Sequence, residues 1–514
     1  MRIVSIVLLM LSFSTYSMEL YVDSKTGQVF TSPGHHRTKL GDFEQKDNKT
    51  KSVTAADIKV TEDKINTRID NIVNKPKKPN EAKTVIDDKG IRFETNDSAF
   101  KWSLNGRLHT DADMFSGGDF YTYNDLDKNG RMNGKEHITN NRLTDGTEIR
   151  RLRMEFAGQF YNDWKFKLQP ELANAGGNLT VGIRDAFVQY TGLNDWGSFY
   201  VGQSKQPYSY QQMMSSNDMI FMERSTEYEF TNRSVNRAIG IRYDLPGKQW
   251  GFSTGLYGDT ATRQTSGTTT QDDEGWGAAL RLTGAPIMTS DIVTHIGGSV
   301  AFRAPATNNR TVQYSIAPTA ISQVSYLNTG AMPDIQNSQF INGELLQIYG
   351  PFSLEAEYNA TWLNSNDSAN SGKAAGLDVL PGNGYLQGAH VDVAYSVTGE
   401  SRATGYDAAQ GITRRIKPNQ NFTLSDDGWG ALETKARFMW VDMNQIDNQL
   451  YAGGNQVAST VGFNWYPNNW TRFLLDWTHV YSLDVGRAGL NRTVVAGQNT
   501  GNWDYVQARV DLHF

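Results

Sequence analysis

The sequence contains no cysteine among its 514 residues. This absence excludes disulfide-stabilised scaffolds, zinc sites built from thiolates and catalysis by a thiol nucleophile. The chain also lacks a run of about 20 apolar residues, which a helix needs to cross a bilayer. The longest apolar stretch, 3–13, is shorter and contains two serines. The formal net charge of −6 gives no electrostatic indication of nucleic-acid binding.

The N-terminus has the pattern of a secretory signal peptide. A short basic start precedes the apolar stretch, and Thr15 and Ser17 place small residues at the −3 and −1 positions of a cleavage site. We therefore predict that residues 1–17 are removed and that the mature chain starts at Met18.

Three segments of different character follow the signal peptide. Residues 18–50 are polar, with a small β-hairpin predicted at 19–30, and residues 51–75 have the periodicity of a helix. Residues 76–98 are predicted as a linker, because Pro76 cannot continue a helix and disfavours helical geometry in the residue before it.

The helical segment has a heptad pattern. Its apolar residues recur at the alternating spacing of three and four that forms the seam of a coiled coil, with one polar interruption. The seam positions are Ala55, Ile58, Glu62, Ile65, Ile69 and Ile72. We expect a short coiled coil over 51–75, and the alternative is a single helix that rests on a larger body.

Residues 501–514 alternate strictly between two faces. Val506, Ala508, Val510, Leu512 and Phe514 share one face, and Gln507, Arg509, Asp511 and His513 share the other. Because successive side chains of a β-strand point to opposite sides, one side of this strand is apolar and the other is polar. Such a strand, ending the chain on an aromatic residue, is typical of an outer-membrane β-barrel with lipid outside and water inside.

Five further segments keep their charged side chains on one face. In the first of them, Leu152, Met154 and Phe156 alternate with Arg151, Arg153 and Glu155. The same alternation occurs in 164–169, 354–362, 433–440 and 472–478. A charge on the lipid face costs about 2–4 kcal/mol at the bilayer midplane, so a membrane barrel requires this segregation.

The region 99–514 accommodates about sixteen such strands. Tight turns alternate with long polar loops, and this asymmetry distinguishes membrane barrels from soluble sandwiches. The long loops are 116–145, 205–236, 304–335 and 482–500. The connection 399–427 is an exception, since it is long although the strand count places it among the short turns. The sequence therefore predicts an all-β fold, a 16-stranded antiparallel transmembrane β-barrel preceded by the N-terminal coiled-coil helix.

Long sequence blocks within this region occur in a characteristic order. They are 145–153 (DGTEIRRLR), 183–187 (IRDAF), 201–209 (VGQSKQPYS), 215–216 (SS), 221–224 (FMER), 350–358 (GPFSLEAEY), 398–400 (TGE), 417–418 (KP) and 429–431 (WGA). With these blocks, most of 99–514 resembles the phosphate-selective porins O and P of Gram-negative bacteria. The coiled-coil segment is outside the basic pattern of that family, although it recurs in some longer members.

The resemblance implies a channel without catalytic residues. It further implies a homotrimer in the outer membrane that prefers small anions such as phosphate. The third surface loop would fold inward and form the constriction. The N-terminal segment would lie in the periplasm. By the same resemblance, Arg150, Arg151 and Arg153 match the arginine block of the family, Asp185 matches the acid of strand four, and Lys205 matches the lysine that opens the third loop.

Strand alternation adds further charged residues to the interior. A path for oxyanions needs Arg and Lys side chains in water, spaced so that a solute exchanges partners. The added cations are Lys165, Lys167, Lys435, Arg437, Arg472 and Arg509, and the third loop contributes Arg224, Arg233 and Arg237. By the same alternation, the acids that face the interior are Glu155, Glu355, Glu357, Glu433, Asp476 and Asp511. For each cation, the alternative is that it forms an ion pair with an acid and only keeps the inner wall polar, without contacting a solute.

The first long loop contains a calcium-binding pattern. Residues 125–136 match D-x-[DN]-x-[DN]-G-x5-E at every fixed position, with Gly130 at the sharp turn. The predicted side-chain ligands are Asp125, Asp127, Asn129 and Glu136. The flanking helices of such a site are not evident, and the alternative is a plain acidic loop.

Two other functional classes are alternatives to an anion channel, namely a hydrolase and a surface-binding protein. Residues 251–255 match the G-x-S-x-G motif of hydrolases, but that motif requires a strand–turn–helix elbow and here lies within an alternating strand. The long loops also suit a surface receptor or adhesin built on a barrel. Among channels, the alternative is a general porin without a preference for phosphate.

Overall fold

The computed structural model of the protein describes residues 18–43, 64, 82–87, 90–117, 120–123, 138–141, 143–173, 181–228, 235–260, 274–306, 310–322, 324–366, 381–425, 428–486, 493–494 and 501–514. The predicted signal peptide 1–17 lies outside the described residues, as does the predicted coiled-coil helix 51–75 apart from Lys64. The chain separates into two compact units, 1–81 and 82–514.

In the first unit, residues 18–43 form a small three-stranded antiparallel sheet. Its central strand Met18–Asp23 pairs with Val29–Phe30 on one edge and with Arg37–Phe43 on the other. The first of these pairings forms the hairpin predicted from the sequence. Gly27, in its turn, has a φ of 70°, which glycine adopts without steric strain.

Sixteen antiparallel strands of the second unit close into a barrel. In chain order they are β1 (Phe100–Ser116), β2 (Gly146–Phe160), β3 (Trp164–Glu171), β4 (Gly182–Tyr190), β5 (Ser198–Lys205), β6 (Arg237–Pro246), β7 (Trp250–Tyr257), β8 (Trp276–Met288), β9 (Ile292–Ala304), β10 (Ile335–Tyr349), β11 (Phe352–Ser365), β12 (Gly384–Ser396), β13 (Ala431–Ile446), β14 (Gly454–Tyr466), β15 (Thr471–Val485) and β16 (Trp503–His513). Strand β16 pairs with β1, for example Val506 with Met114, and this pairing closes the ring. The predicted sixteen-stranded antiparallel barrel is confirmed.

A β-hairpin, Ala82–Asp87 and Gly90–Thr95, precedes the barrel and extends its closing seam. Strand β16 pairs with the later part of β1, and the hairpin pairs with β1 at 101–104, just beyond the end of β16. At this junction the ring of Phe514 packs over Gly106, where any Cβ atom would lie 2.7 Å from the ring. The observed position of the Phe514 ring therefore requires a glycine at position 106 of β1.

The described parts of the connections contain only short regular elements. They are the helical turns Asn194–Trp196, Tyr210–Met213, Arg402–Gly405 and Gln449–Tyr451, the two-stranded sheet of Ser315–Ile316 and Leu327–Asn328, and the three-stranded sheet of Phe120–Tyr123, Ile138–Asn141 and Thr493–Val494. Within the described residues, no helix has the length and apolar character needed to cross a membrane.

The outer face of the barrel is apolar, as the alternation predicts. In β16, Val510 is 45% exposed and Leu512 is 40% exposed, whereas Asp511 between them is fully buried. Aromatic side chains lie on the outer surface near the short-turn end, where the rings of Trp164 and Tyr190 approach to 4.9 Å. An apolar band with aromatic residues at its border is the surface that a lipid bilayer requires.

The interior is filled near the long-loop end by the connection between β9 and β10. Its buried side chains Tyr314, Tyr326 and Met332 pack against inward side chains that include Val441 of β13 and Trp503 of β16. This apolar cluster occupies the side of the interior next to strands β11–β16. Open space in the barrel is therefore expected beside the remaining strands.

The long connection between β12 and β13 also folds into the barrel, in this case from the short-turn end. Ile412 is buried, and the guanidinium of Arg281 in β8 donates to the carbonyl oxygens of Gln410 at 2.6 Å and Gly411 at 2.8 Å. The exceptional length of 399–427 in the sequence is thus explained by an inward segment, which a count of strands does not predict.

Candidate functional site

The third loop, 206–236, connects β5 to β6, and its described residues lie inside the barrel. Its described parts, 206–228 and 235–236, include the helical turn Tyr210–Met213. Ser209 caps this turn, because its side-chain oxygen accepts a hydrogen bond of 3.0 Å from the backbone N–H of Gln212. The barrel wall supplies both basic and acidic partners for the loop.

Four basic side chains of the wall bind the third loop through its backbone carbonyl groups. The donor–acceptor pairs are Arg472 and Met219 (2.6 Å), Lys435 and Ile220 (2.9 Å), Arg509 and Met222 (2.5 Å), and Arg437 and Glu223 (2.9 Å). The same four cations form ion pairs, in that order, with Asp511, Asp476, Asp111 and Asp392. A buried charge is costly unless it is paired, so these double contacts keep residues 219–223 in place.

Acidic side chains hold the first turn of the third loop. Glu357 accepts hydrogen bonds from the backbone N–H groups of Tyr210 at 2.6 Å and Gln211 at 3.2 Å. Among the described residues, Glu355, Glu357 and His390 form the one group of three acidic or histidine side chains close enough to share a metal ion. The side-chain amide nitrogen of Gln211 already contacts two of them, Glu355 at 3.1 Å and His390 at 3.0 Å. This group therefore has an evident role in holding the loop.

A cavity of about 810 Å³ lies between the third loop and strands β1–β6. Thirteen Lys and Arg residues line it, against four Asp and Glu residues. The basic residues are Arg107, Arg150, Arg151, Arg153, Lys167, Arg184, Lys205, Arg224, Arg237, Arg242, Arg414, Arg415 and Lys417. A chain with a net charge of −6 thus encloses a strongly basic cavity.

The four acids of the cavity each contact a cation. The closest contacts are Glu155 with Lys167 (3.2 Å), Asp185 with Arg237 (2.7 Å), Asp218 with Arg414 (3.5 Å), and Glu223 with Arg509 (2.7 Å). Burial alone would raise the pKa of the Glu223 carboxyl, but Arg150, Arg151 and Arg509 lower it, and the net pKa lies well below the usual range. Glu223 is therefore ionised at neutral pH.

Three cations of the cavity have no carboxylate partner among the described residues, and all three contact residues 213–216 of the third loop. Lys205 donates to the carbonyl oxygens of Met213 and Met214, at 3.0 Å and 2.9 Å, and Arg224 also donates to that of Met214, at 3.0 Å. Arg107 donates to the hydroxyl of Ser216 at 2.8 Å. This part of the loop is therefore bordered by three basic side chains that have no described carboxylate within ion-pair distance.

Seven of the ten residues predicted for the anion path line this one cavity. They are Arg150, Arg151, Arg153, Lys167, Asp185, Lys205 and Arg224. Lys165 is exposed and is not part of the cavity lining. Arg437 and Arg472 are also absent from the lining, because their guanidinium groups bind the third loop and an acid of the wall.

Six basic residues of the lining were not predicted. Arg107 and Arg242 lie in alternating strands, so the same period-two analysis would have found them. Arg184 follows no such rule, because it lies at an irregularity of β4 directly before the inward Asp185. Arg414, Arg415 and Lys417 lie in the inward connection between β12 and β13. No local pattern marks that connection as inward, because its path depends on contacts with distant strands.

Two other sequence motifs have different outcomes. Ser253 of the hydrolase-like motif lies inside β7, where it pairs with Asp244 of β6 and Arg281 of β8. It therefore has no strand–turn–helix elbow around it. The predicted calcium ligands Asp125, Asp127, Asn129 and Glu136 lie outside the described residues, and calcium binding stays a prediction.

Comparison with known proteins identifies related sequences. The sequence profile of the family described as "Phosphate-selective porin O and P" matches residues 123–500. Porin O of Pseudomonas aeruginosa is 24% identical over 425 residues, which cover 76% of this chain and 85% of that protein.

Three of the solved structures to which the chain is similar are an outer-membrane protein, an outer-membrane channel and a porin. OmpT of Vibrio cholerae, in a trimer form, has a TM-score of 0.45 at 9% identity, over 81% of this chain and 100% of its own. The outer-membrane channel DcaP of Acinetobacter baumannii has a TM-score of 0.45 at 11% identity, over 82% and 99%. An anion-selective porin from Comamonas acidovorans has a TM-score of 0.42 at 14% identity, over 81% and 100%.

Proposed function

The chain belongs to the phosphate-selective porin O and P family, and on that premise we propose that it is an outer-membrane channel through which small anions diffuse. The basic cavity beside β1–β6 is the proposed path. The third loop is the proposed constriction, since it lies across the interior between this cavity and the wall of β12–β16 that anchors it.

The observation that carries this proposal is the set of three cations around 213–216. Lys205, Arg224 and Arg107 line the cavity with no described carboxylate within ion-pair distance, and the hydroxyls of Ser215 and Ser216 lie beside them. A solute with several oxygen atoms finds both positive charge and hydrogen-bond donors here. In a narrow and poorly hydrated space, each charge acts more strongly than at an exposed surface.

The inward connection between β12 and β13 extends the proposed path to the short-turn end. Its residues Arg414, Arg415 and Lys417 line the same cavity as the loop cations. Burial, together with the nearby Arg472, lowers the pKa of Arg415 to about 10, so its guanidinium is still charged at neutral pH. An anion that leaves the loop site therefore meets further cations with which it can exchange.

Reversal potentials of the purified protein in planar bilayers test this proposal. In a KCl gradient we expect the sign that corresponds to chloride permeating faster than potassium. Added phosphate should reduce the chloride current if oxyanions bind in the path. Anion preference without an effect of phosphate would indicate a general anion porin, and a channel that prefers potassium would contradict the proposal.

We also propose that the channel is a homotrimer whose N-terminal helices meet in the periplasm. The heptad pattern over 51–75 supports this arrangement, because a two-face helix buries its apolar seam against copies of itself. Cysteines introduced singly at Ile58 and Ile65 should therefore form crosslinks between subunits under mild oxidation. The chain contains no other cysteine, so each product has only one interpretation.

A control for this experiment is a cysteine at a polar position of the same segment, such as Asp63, which lies outside the seam. We expect far less crosslinking there. Equal crosslinking at Asp63 and Ile65 would contradict a packed seam, while a trimer of barrels would still be compatible with the result.

A further inference from the structure

Glu223, near the end of the described inward loop segment, occupies a group of three arginines in the cavity. Its oxygen Oε1 lies 3.0 Å from Nε of Arg150 and 2.7 Å from Nη2 of Arg509. Its oxygen Oε2 lies 3.2 Å from Nη2 of Arg150 and 3.1 Å from Nη2 of Arg151. Both carboxylate oxygens are thus bound by guanidinium groups, in the two-point geometry that arginine forms with carboxylates.

We propose that Glu223 is a tethered competitor for anionic solutes, and that the arginine group it occupies is a binding position for the carboxylate group of a solute. This inference rests on the proposed anion channel and assigns a chemical class to the solutes. A solute carboxylate that enters the cavity would take the contacts that the Glu223 side chain gives up.

The charges around the group favour such an exchange. Arg509 has its own partner, because it forms two contacts with Asp111, at 2.7 Å and 2.6 Å. Arg150 has only a contact of 3.9 Å with Glu148 besides Glu223, and Arg151 has no other carboxylate within ion-pair distance among the described residues. Two arginines therefore depend on the Glu223 carboxylate or on an anion that replaces it.

The side chain of Glu223 can exchange without unfolding the loop. It is 25% exposed and lines the cavity, as does the side chain of Arg150. The backbone at this point is held independently, since Arg437 binds the carbonyl oxygen of Glu223 and its guanidinium lies 4.2 Å from the ring centroid of Phe221. The carboxylate can therefore leave the arginines while the loop keeps its position.

A tethered competitor also explains how a strongly basic group could pass solutes without trapping them. Covalent attachment gives the Glu223 carboxylate a high effective concentration at the arginines, so a bound solute is displaced readily. Chloride makes a single contact and lacks the two-point geometry of a carboxylate. The group should therefore discriminate for carboxylates over chloride, with rapid release.

The test compares E223Q with E155Q in single-channel recordings. Glu155 also lines the cavity and forms an ion pair with Lys167 at 3.2 Å, so each variant removes one negative charge from the lining of the same cavity. Only E223Q uncovers Arg150 and Arg151. We expect the acetate concentration that halves the chloride current to fall at least about tenfold in E223Q and much less in E155Q, given the strength of hydrogen bonds between charged groups.

Each outcome decides the inference. An equal change in both variants would show a general effect of charge and would overturn it, as would an unchanged response to acetate in E223Q. A gain with inorganic phosphate but none with acetate would overturn the assignment to carboxylates. If E223Q does not insert, E223D shortens the side chain while keeping its charge, and the same comparison is expected to give a smaller change of the same sign. A wild-type channel that prefers potassium would instead refute the proposed function itself.

Discussion

Replacement of Lys205 by glutamate is expected to remove most of the proposed anion preference of the channel. The side-chain nitrogen of Lys205 donates to the carbonyl oxygens of residues 213 and 214 of the third loop, and no described carboxylate lies within ion-pair distance of it. Reversal of its charge changes the local charge by two units. Two unit charges 4 Å apart interact by about 4 kcal/mol at an effective dielectric constant of 20, so a tenfold or larger fall in the chloride-to-potassium permeability ratio is expected.

Lys165→Glu is the matched control for this measurement. Lys165 undergoes the same change of charge and lies in a wall strand of the same half of the barrel, but it is exposed and absent from the cavity lining. We expect a much smaller shift of the reversal potential. Lys205→Met should give an intermediate value, since it removes the charge without adding a negative one. Equal shifts for Lys205→Glu and Lys165→Glu would contradict the path.

Replacement of Arg472 by alanine is expected to destabilise the barrel and to loosen the third loop. Arg472 is fully buried, donates to the carbonyl oxygen of Met219 at 2.6 Å and contacts the Asp511 carboxylate at 2.7 Å. Removal of one partner from a buried ion pair costs about 3–5 kcal/mol, because the remaining charge stays buried. The free energy of unfolding in urea should fall by this amount, and the single-channel conductance should rise.

Arg414→Ala is the control for the stability measurement. The Arg414 side chain is half exposed, and its ion pair with Asp218 is long, at 3.5 Å. Exposed pairs contribute about 0–1 kcal/mol, so this variant should unfold at nearly the same urea concentration as the wild type. If Arg472→Ala shows the conductance and unfolding midpoint of the wild type, the loop is held by contacts other than the basic anchors.

The interior of the barrel shows how far local alternation predicts a functional site. It placed Arg151 and Arg153 on the inner face, and both lie in the cavity lining. It also placed Arg437 and Arg472 on the inner face, and both are buried inside the barrel. The third loop distinguishes the two pairs. It crosses to the wall of β13–β16 and covers Arg437 and Arg472, while Arg151 and Arg153 stay beside open space.

The sequence by itself determined the class of the protein and the two faces of its wall. A strand reverses its side chains at every residue, so the apolar and charged faces of β2 and β16 follow from the order of the residues alone. The penalty for a charge in lipid made that order diagnostic of a membrane barrel. The long family-like blocks then identified the family, because they too are properties of the linear chain.

Only the tertiary structure decided which inward charges are neutralised and which are available to a solute. Asp392 of β12 pairs with Arg437 of β13, and Glu223 of the third loop reaches Arg150 of β2, which is 73 residues away in the chain. Such partners depend on the register of neighbouring strands and on the paths of two inward segments. A period of two residues contains no information about either, because register and loop paths arise from contacts between parts of the chain that are distant in sequence.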